Sequence, residues 1–88
     1  MAKGFPLEIV TPEARFYSGE AELVVVRTLS GEEGFMADHS WACKLLGAGE
    51  MRFRETGAKE HRRANVSGGF IDVRGEVLVF TDSAEWVQ

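Results

Sequence analysis

Apolar and polar positions along this chain fall into short runs separated by turn residues, and the runs carry the period of strands. From Phe5 to Val10 the alternation is weak, with Leu7 and Ile9 on one face and Glu8 on the other, which predicts a half-buried first strand. Thr11-Pro12-Glu13 reads as a turn, because proline fixes its φ and lacks a ladder donor. Arg15 to Ser18 predicts a short second strand stopped by Gly19. Then comes the apolar run Leu23-Val24-Val25-Val26, extended through Leu29, which predicts a central buried strand. It delivers the glycine-bracketed loop Ser30 to Gly34 to one end of a sheet. Gly31 and Gly34 tolerate positive φ, so Glu32 and Glu33 are expected to be held outward between them.

The second half repeats the theme. Ser40 to Leu46 fits either a short strand or one helical turn, ended by Gly47-Ala48-Gly49. Glu50 to Arg54 alternates cleanly, with Met51 and Phe53 inward and the charges outward. Glu55 to Lys59 predicts a hairpin loop, and the return strand to Val66 is polar enough to be expected near an edge. Gly68-Gly69 predicts a bulge or bend before the strand Phe70 to Val73, and Arg74-Gly75 a tight turn into Glu76 to Thr81. Phe70, Ile71, Val73, Val77, Val79 and Phe80 read as core. Turn signals at intervals of about 8 to 12 residues predict an all-β fold: a small antiparallel β-sandwich or flattened barrel of about ten short strands. Only the stretch from Ser83 breaks the pattern, since Ser-Ala-Glu-Trp could cap a helix. The expected division is a sandwich over 1–84 with a stub over 85–88.

Composition sharpens this reading. The chain has 88 residues, 44% hydrophobic and 27% charged, which is the balance of a globular protein with a core. A domain this small buries only roughly 60 to 65% of its unfolded surface, so a partner could matter for its stability. A net charge of −4 speaks against nucleic acid or an anionic membrane surface as partner. Arg52, Arg54, Lys59, Arg62 and Arg63 do cluster, but Glu50, Glu55 and Glu60 interleave with them, which predicts ion pairs on a solvated pair of strands. The single cysteine, Cys43, allows neither an internal disulfide nor a multi-cysteine metal site. No run of about 18 apolar residues is present, and Met1 to Pro6 lacks an apolar core of signal-peptide length. Direct membrane insertion is therefore not expected, and any membrane association would come through a partner.

Asp38, His39 and Cys43 are of the types that make a nucleophile with its base, or two metal ligands. Neither an orienting third group nor a further ligand accompanies them, and the other histidine, His61, sits on a polar strand. No catalytic, cofactor or metal site is expected, and Cys43 reads as an inert core residue. Trp41 suits a core position and an interface anchor equally.

Gly31-x-x-Gly34-x-Met36-Ala37-x-His39 resembles the strand-loop signature of the epsilon subunit of F-type ATP synthases. Val66-Ser67-Gly68-Gly69-Phe70-Ile71-Asp72-Val73, followed by Val77 to Glu85, is similar to that family's other signature. The resemblance runs from about Phe5 to Glu85. It implies a rotating central-stalk (rotor) subunit that is not itself an enzyme. Such a subunit couples proton or sodium ion transport to ATP synthesis and needs no cofactor. It also implies contact with the gamma subunit through Asp38, His39 and Trp41, and contact with the membrane rotor ring of c subunits through Gly31, Glu32, Glu33 and Gly34. Glu33 stands where the family often has an apolar residue, and Trp41, Ala42 and Ala48 also depart from its usual pattern. Family members of ordinary length continue into an inhibitory C-terminal helical hairpin, which this sequence lacks; assembly and coupling without inhibition are thus expected. The implied location is peripheral to the bacterial inner membrane, on its cytoplasmic face. The alternative of another class is a free-standing β-sandwich that binds a small ligand or peptide.

Overall fold

One strand pairs with four others in the molecule. In the computed structural model, which describes residues 3–87, it is the fourteen-residue strand β2 (Arg15–Thr28). Its N-terminal half pairs with β1 (Phe5–Val10), and its C-terminal half is flanked by β3 (Gly31–Phe35) and β5 (Gly49–Glu55). β4 (Ala42–Leu46) touches it through the single pair Thr28↔Leu46 and otherwise lies against β7 (Gly69–Val73). β8 (Val77–Phe80) joins β7 to β1, the latter pairing being parallel. β6 (Arg62–Val66) follows β5 in a hairpin, and β9 (Ala84–Trp86) covers its far side. The result is a nine-stranded all-β sandwich whose sheet folds back through β1 and β2 into a flattened ring.

The core is the set of inward positions of this ring. Leu7, Ile9, Val24, Val26, Phe35, Met51, Phe53, Ile71 and Val79 are almost wholly buried. Each contributes about 1.5 to 3 kcal/mol by leaving water. The alternations of Leu7 with Ile9 and Met51 with Phe53 thus point inward as their spacing predicts.

Four expectations need correction. Gly19 does not stop a strand, because β2 runs through it from Arg15 to Thr28 while β1 pairs alongside. Residues 31–34 are not a loop: they form most of β3, and the turn shrinks to Leu29 and Ser30. The polar strand β6 does lie near an edge as expected, with β9 outermost and paired to it at Ala64↔Trp86, Asn65↔Glu85 and Val66↔Ala84. No helix begins at Ser83, whose successors form that ninth strand. Finally, Phe80 is 38% exposed and Phe70 only half-buried, because both occupy the outer face that alternates with buried Ile71 and Val79. Met1, Ala2 and Gln88, at the ends of the expected 1–84 and 85–88 segments, lie outside the described residues.

Candidate partner interface

The two outer faces of the sandwich differ in chemistry. On the β2, β5 and β6 side, charges pair with one another: Arg54 Nε lies 2.9 Å from Glu22 Oε1, Arg52 3.1 Å from Glu32, Arg62 3.7 Å from Glu55 and Arg63 3.9 Å from Glu50. The basic cluster in the sequence is thus largely neutralised in place.

The face made by β4, β7, β8 and β1 carries an apolar row across its width, beside the outward ion pairs Asp72–Arg74 and Glu8–Arg15. Strand register sets Leu45 beside Phe70, Phe70 beside Phe80, and Phe80 beside Val10. Leu45 is 64% exposed, and the Phe70 and Phe80 rings pack 4.9 Å apart. A shallow cavity of about 280 Å³ opens here between Val10, Pro12, Phe70 and Phe80. Along β4 the same outward side carries Cys43 and, just before the strand, Trp41. Trp41 is 81% exposed, which excludes its core reading, and the Arg74 guanidinium stands 6.0 Å from its ring. Arg74 is itself held by Asp72 at 3.0 Å. Cys43 is likewise exposed and not a core residue, because its register partner Asp72 also faces outward.

Asp38 and His39 lie in the connection between β3 and β4. Asp38 adopts a left-handed φ of 67° and its carboxylate meets Lys3 Nζ at 3.2 Å. His39 Nδ1 donates to the Ser40 carbonyl at 2.6 Å, and its ring meets Phe35 edge-on at 4.8 Å. In the neutral ring this leaves Nε2 as an acceptor. His39 and Asp38 are engaged with these neighbours and not with Cys43. Among the described residues no group of three His, Cys, Asp or Glu side chains could hold a metal ion.

At the other end of β3 the tight turn exposes Leu29 and sets Gly31 at φ 107°, a conformation that favours glycine. Glu32 faces solvent with Arg52 alongside. Glu33 does not face outward as expected. Strand alternation puts it on the inner side with Phe35, where Lys44 Nζ donates at 2.6 Å and the Thr28 hydroxyl donates to the same carboxylate. The Lys44 hydrogen bond, then that of Thr28, holds the Glu33 carboxyl below its ordinary value against the opposing effect of burial. Sequence reading missed this because glycine spacing suggested a loop; alternation back from Phe35 is the signal that places Glu33 inside.

Residues 4–87 match the family described as ATP synthase, Delta/Epsilon chain, beta-sandwich domain. The ATP synthase epsilon chain of Alkaliphilus metalliredigens is 41% identical over 87 residues, 98% of this chain and 63% of that one. That of Brevibacillus brevis is 44% identical over 80 residues, 90% of this chain and 60% of that one. The chain therefore spans about three fifths of the length of these relatives. A chain of the Euglena gracilis mitochondrial ATP synthase, in a structure of its OSCP/F1/c-ring assembly, superposes with a TM-score of 0.84 at 25% identity, covering 91% of this chain and 51% of that one.

Proposed function

Because the chain belongs to the delta/epsilon-chain β-sandwich family of ATP synthases, we propose that it serves as a non-catalytic central-stalk component joining the gamma subunit to the membrane rotor ring. The apolar outer face of β4, β7, β8 and β1, with Trp41, His39 and Asp38 at its rim, meets the gamma subunit in this reading. The β2–β3 hairpin, Gly31 to Gly34, meets the polar loops of the c subunits. Glu32 offers the ring an exposed carboxylate for a charge-assisted contact with a basic side chain. The complex lies at the cytoplasmic face of the bacterial inner membrane, and the chain reaches the membrane only through the ring. Among the described residues no helix is long and apolar enough to cross a bilayer.

The observation that carries this reading is the outward row Leu45, Phe70, Phe80 and Val10, exposed at Leu45 and Phe80 and half-buried at Phe70 and Val10, continued to the exposed Trp41, on a sandwich whose other face is charge-paired. Contiguous exposed apolar surface of this kind marks an interaction site. Its test is co-purification with the cognate gamma subunit. Wild type should associate, His39→Ala or Trp41→Ala should weaken association by roughly tenfold, and Glu32→Lys should leave it nearly unchanged while weakening attachment to the ring. A wild-type chain that fails to associate at moderate salt would sink the stalk role.

A further inference from the structure

The two proposed contact surfaces sit on strands that share no ladder. Among the described residues β3, which carries the hairpin tip, is paired only with β2; β4, which carries Cys43 and Leu45 and follows Trp41, is paired with β7 and meets β2 only at Thr28↔Leu46. β3 is also soft by composition, with glycine at two of its five positions. A Cβ built on Gly31 would meet no atom within 4 Å, so nothing packs over the tip at that residue.

One ion pair ties these strands directly. Glu33 reaches from β3 to Lys44 on β4, and the Thr28 hydroxyl of β2 braces the same carboxylate. Side-chain exposure is only 23% for Glu33 and 41% for Lys44, so the pair is shielded from water on one side and its geometry is set by three strands. Thr28 accepts the Ser30 N–H at 3.1 Å as well, which carries the brace into the turn itself.

We propose that Glu33 is a positioning residue and not a ring contact: with Lys44 and Thr28 it fixes the Glu32-bearing hairpin to β4, so that the gamma-facing and ring-facing surfaces move as one rigid unit. This rests on the stalk reading given above. A coupling element transmits torque only if its two attachment points do not yield relative to each other, and an edge hairpin held on one side alone would yield. Removing one partner leaves the other as a part-buried unpaired charge, which is worse than replacing both by apolar groups.

That asymmetry supplies the experiment. ATP synthase assembled with this chain is assayed for ion pumping per ATP hydrolysed and, separately, for association with the gamma subunit. Glu33→Gln and Lys44→Leu should each lower coupled pumping by roughly fivefold while gamma association stays within about twofold. The paired Glu33→Leu/Lys44→Leu chain should recover most of the coupling, because two leucines can rejoin the strands without any carboxylate. Recovery supports the positioning role. Failure of the leucine pair to recover, with wild type assembling normally, means the carboxylate itself contacts the ring and overturns the inference alone. Loss of gamma association in wild type would overturn the stalk reading and this inference with it.

Discussion

The guanidinium carbon of Arg62 stands 4.1 Å from the centroid of the Trp86 indole, and the same cation lies 5.4 Å from Tyr17 and 5.9 Å from Phe53. Trp86 in turn packs on Phe16 at 4.4 Å. β9 is three residues long, and this stack adds to its short ladder and to the Val87 N–H bond to the Arg63 carbonyl in fastening it to β6 and β2. Trp86→Ala should cost about 2 to 3 kcal/mol, from lost aromatic burial plus a lost cation–π contact. Urea unfolding followed by near-ultraviolet circular dichroism measures it. A cost within about 0.5 kcal/mol would show that β9 is fastened by something else.

Tyr17 gives the same cluster a pH dependence at the alkaline end. Its hydroxyl donates to Glu55 at 2.7 Å. Burial first, then the Glu55 hydrogen bond and charge, push its pKa up to about 12, against a smaller opposing effect of Arg62. A raised pKa means that the folded chain holds the proton more tightly than the unfolded one. The stabilisation is therefore complete below the ordinary value of 10.0 and is lost as pH rises through about 12. Unfolding free energy should fall across that window in wild type and stay flatter in Tyr17→Phe; parallel curves would refute the assignment.

Glu33 works in the opposite direction. Lys44, Thr28 and, more weakly, the His39 charge keep its carboxylate ionised below the ordinary value of 4.5. The stabilisation is present above that value and disappears as pH drops through the lower folded one. Acid unfolding should accordingly be steeper below about pH 4.5 in wild type than in Glu33→Gln.

How far the sequence reveals this fold depends on which neighbours decide each residue. Leu7, Ile9, Met51 and Phe53 are legible because alternation in a half-buried strand is local. Gly19 and Gly31 mislead, because glycine signals a turn only until a paired neighbour claims its backbone, as β1 claims Gly19 and β2 claims Gly31. Phe70 and Phe80 mislead differently: hydrophobicity says nothing of which side of a strand faces the core, and only the register with Ile71 and Val79 settles it. Of the candidate site, His39 and Glu32 lie exposed; the inward side of Glu33 follows from local alternation with Phe35, whereas its partner Lys44, eleven residues on, is not legible from the loop itself.

Two glycines of similar φ should respond very differently to the same methyl group. At Gly57, φ 82°, a Cβ would meet nothing within 4 Å, so Gly57→Ala should cost only about 1 to 2 kcal/mol of backbone strain. At Gly69, φ 110°, it would lie 1.9 Å from the Phe80 carbonyl oxygen. That contact is backbone, and the β7–β8 ladder cannot yield without breaking. Gly69→Ala should cost about 4 kcal/mol or more and shift the denaturation midpoint accordingly. Equal costs at the two sites would mean that β7 and β8 are not held as close as the structure has them.

Cys43 tests the orientation of β4, and with it the apolar face. Trp41, Cys43 and Leu45 project from one side of the strand, so an outward thiol means that all three face solvent in the free chain. A maleimide should modify Cys43 fully under native conditions, at the rate of an unhindered thiol, and Cys43→Ser should change stability by less than about 0.5 kcal/mol. A thiol that reacts only on unfolding would return Cys43 to the core and turn the proposed interface inward. The modified chain carries the argument further, because the bulky group then stands between Trp41 and Leu45 in the middle of the surface assigned to the gamma subunit. Modification should abolish co-purification with that subunit while leaving the fold intact, and Cys43→Ser should be indifferent to the reagent. If the modified chain still associates, gamma binds elsewhere, and the apolar row awaits a different partner.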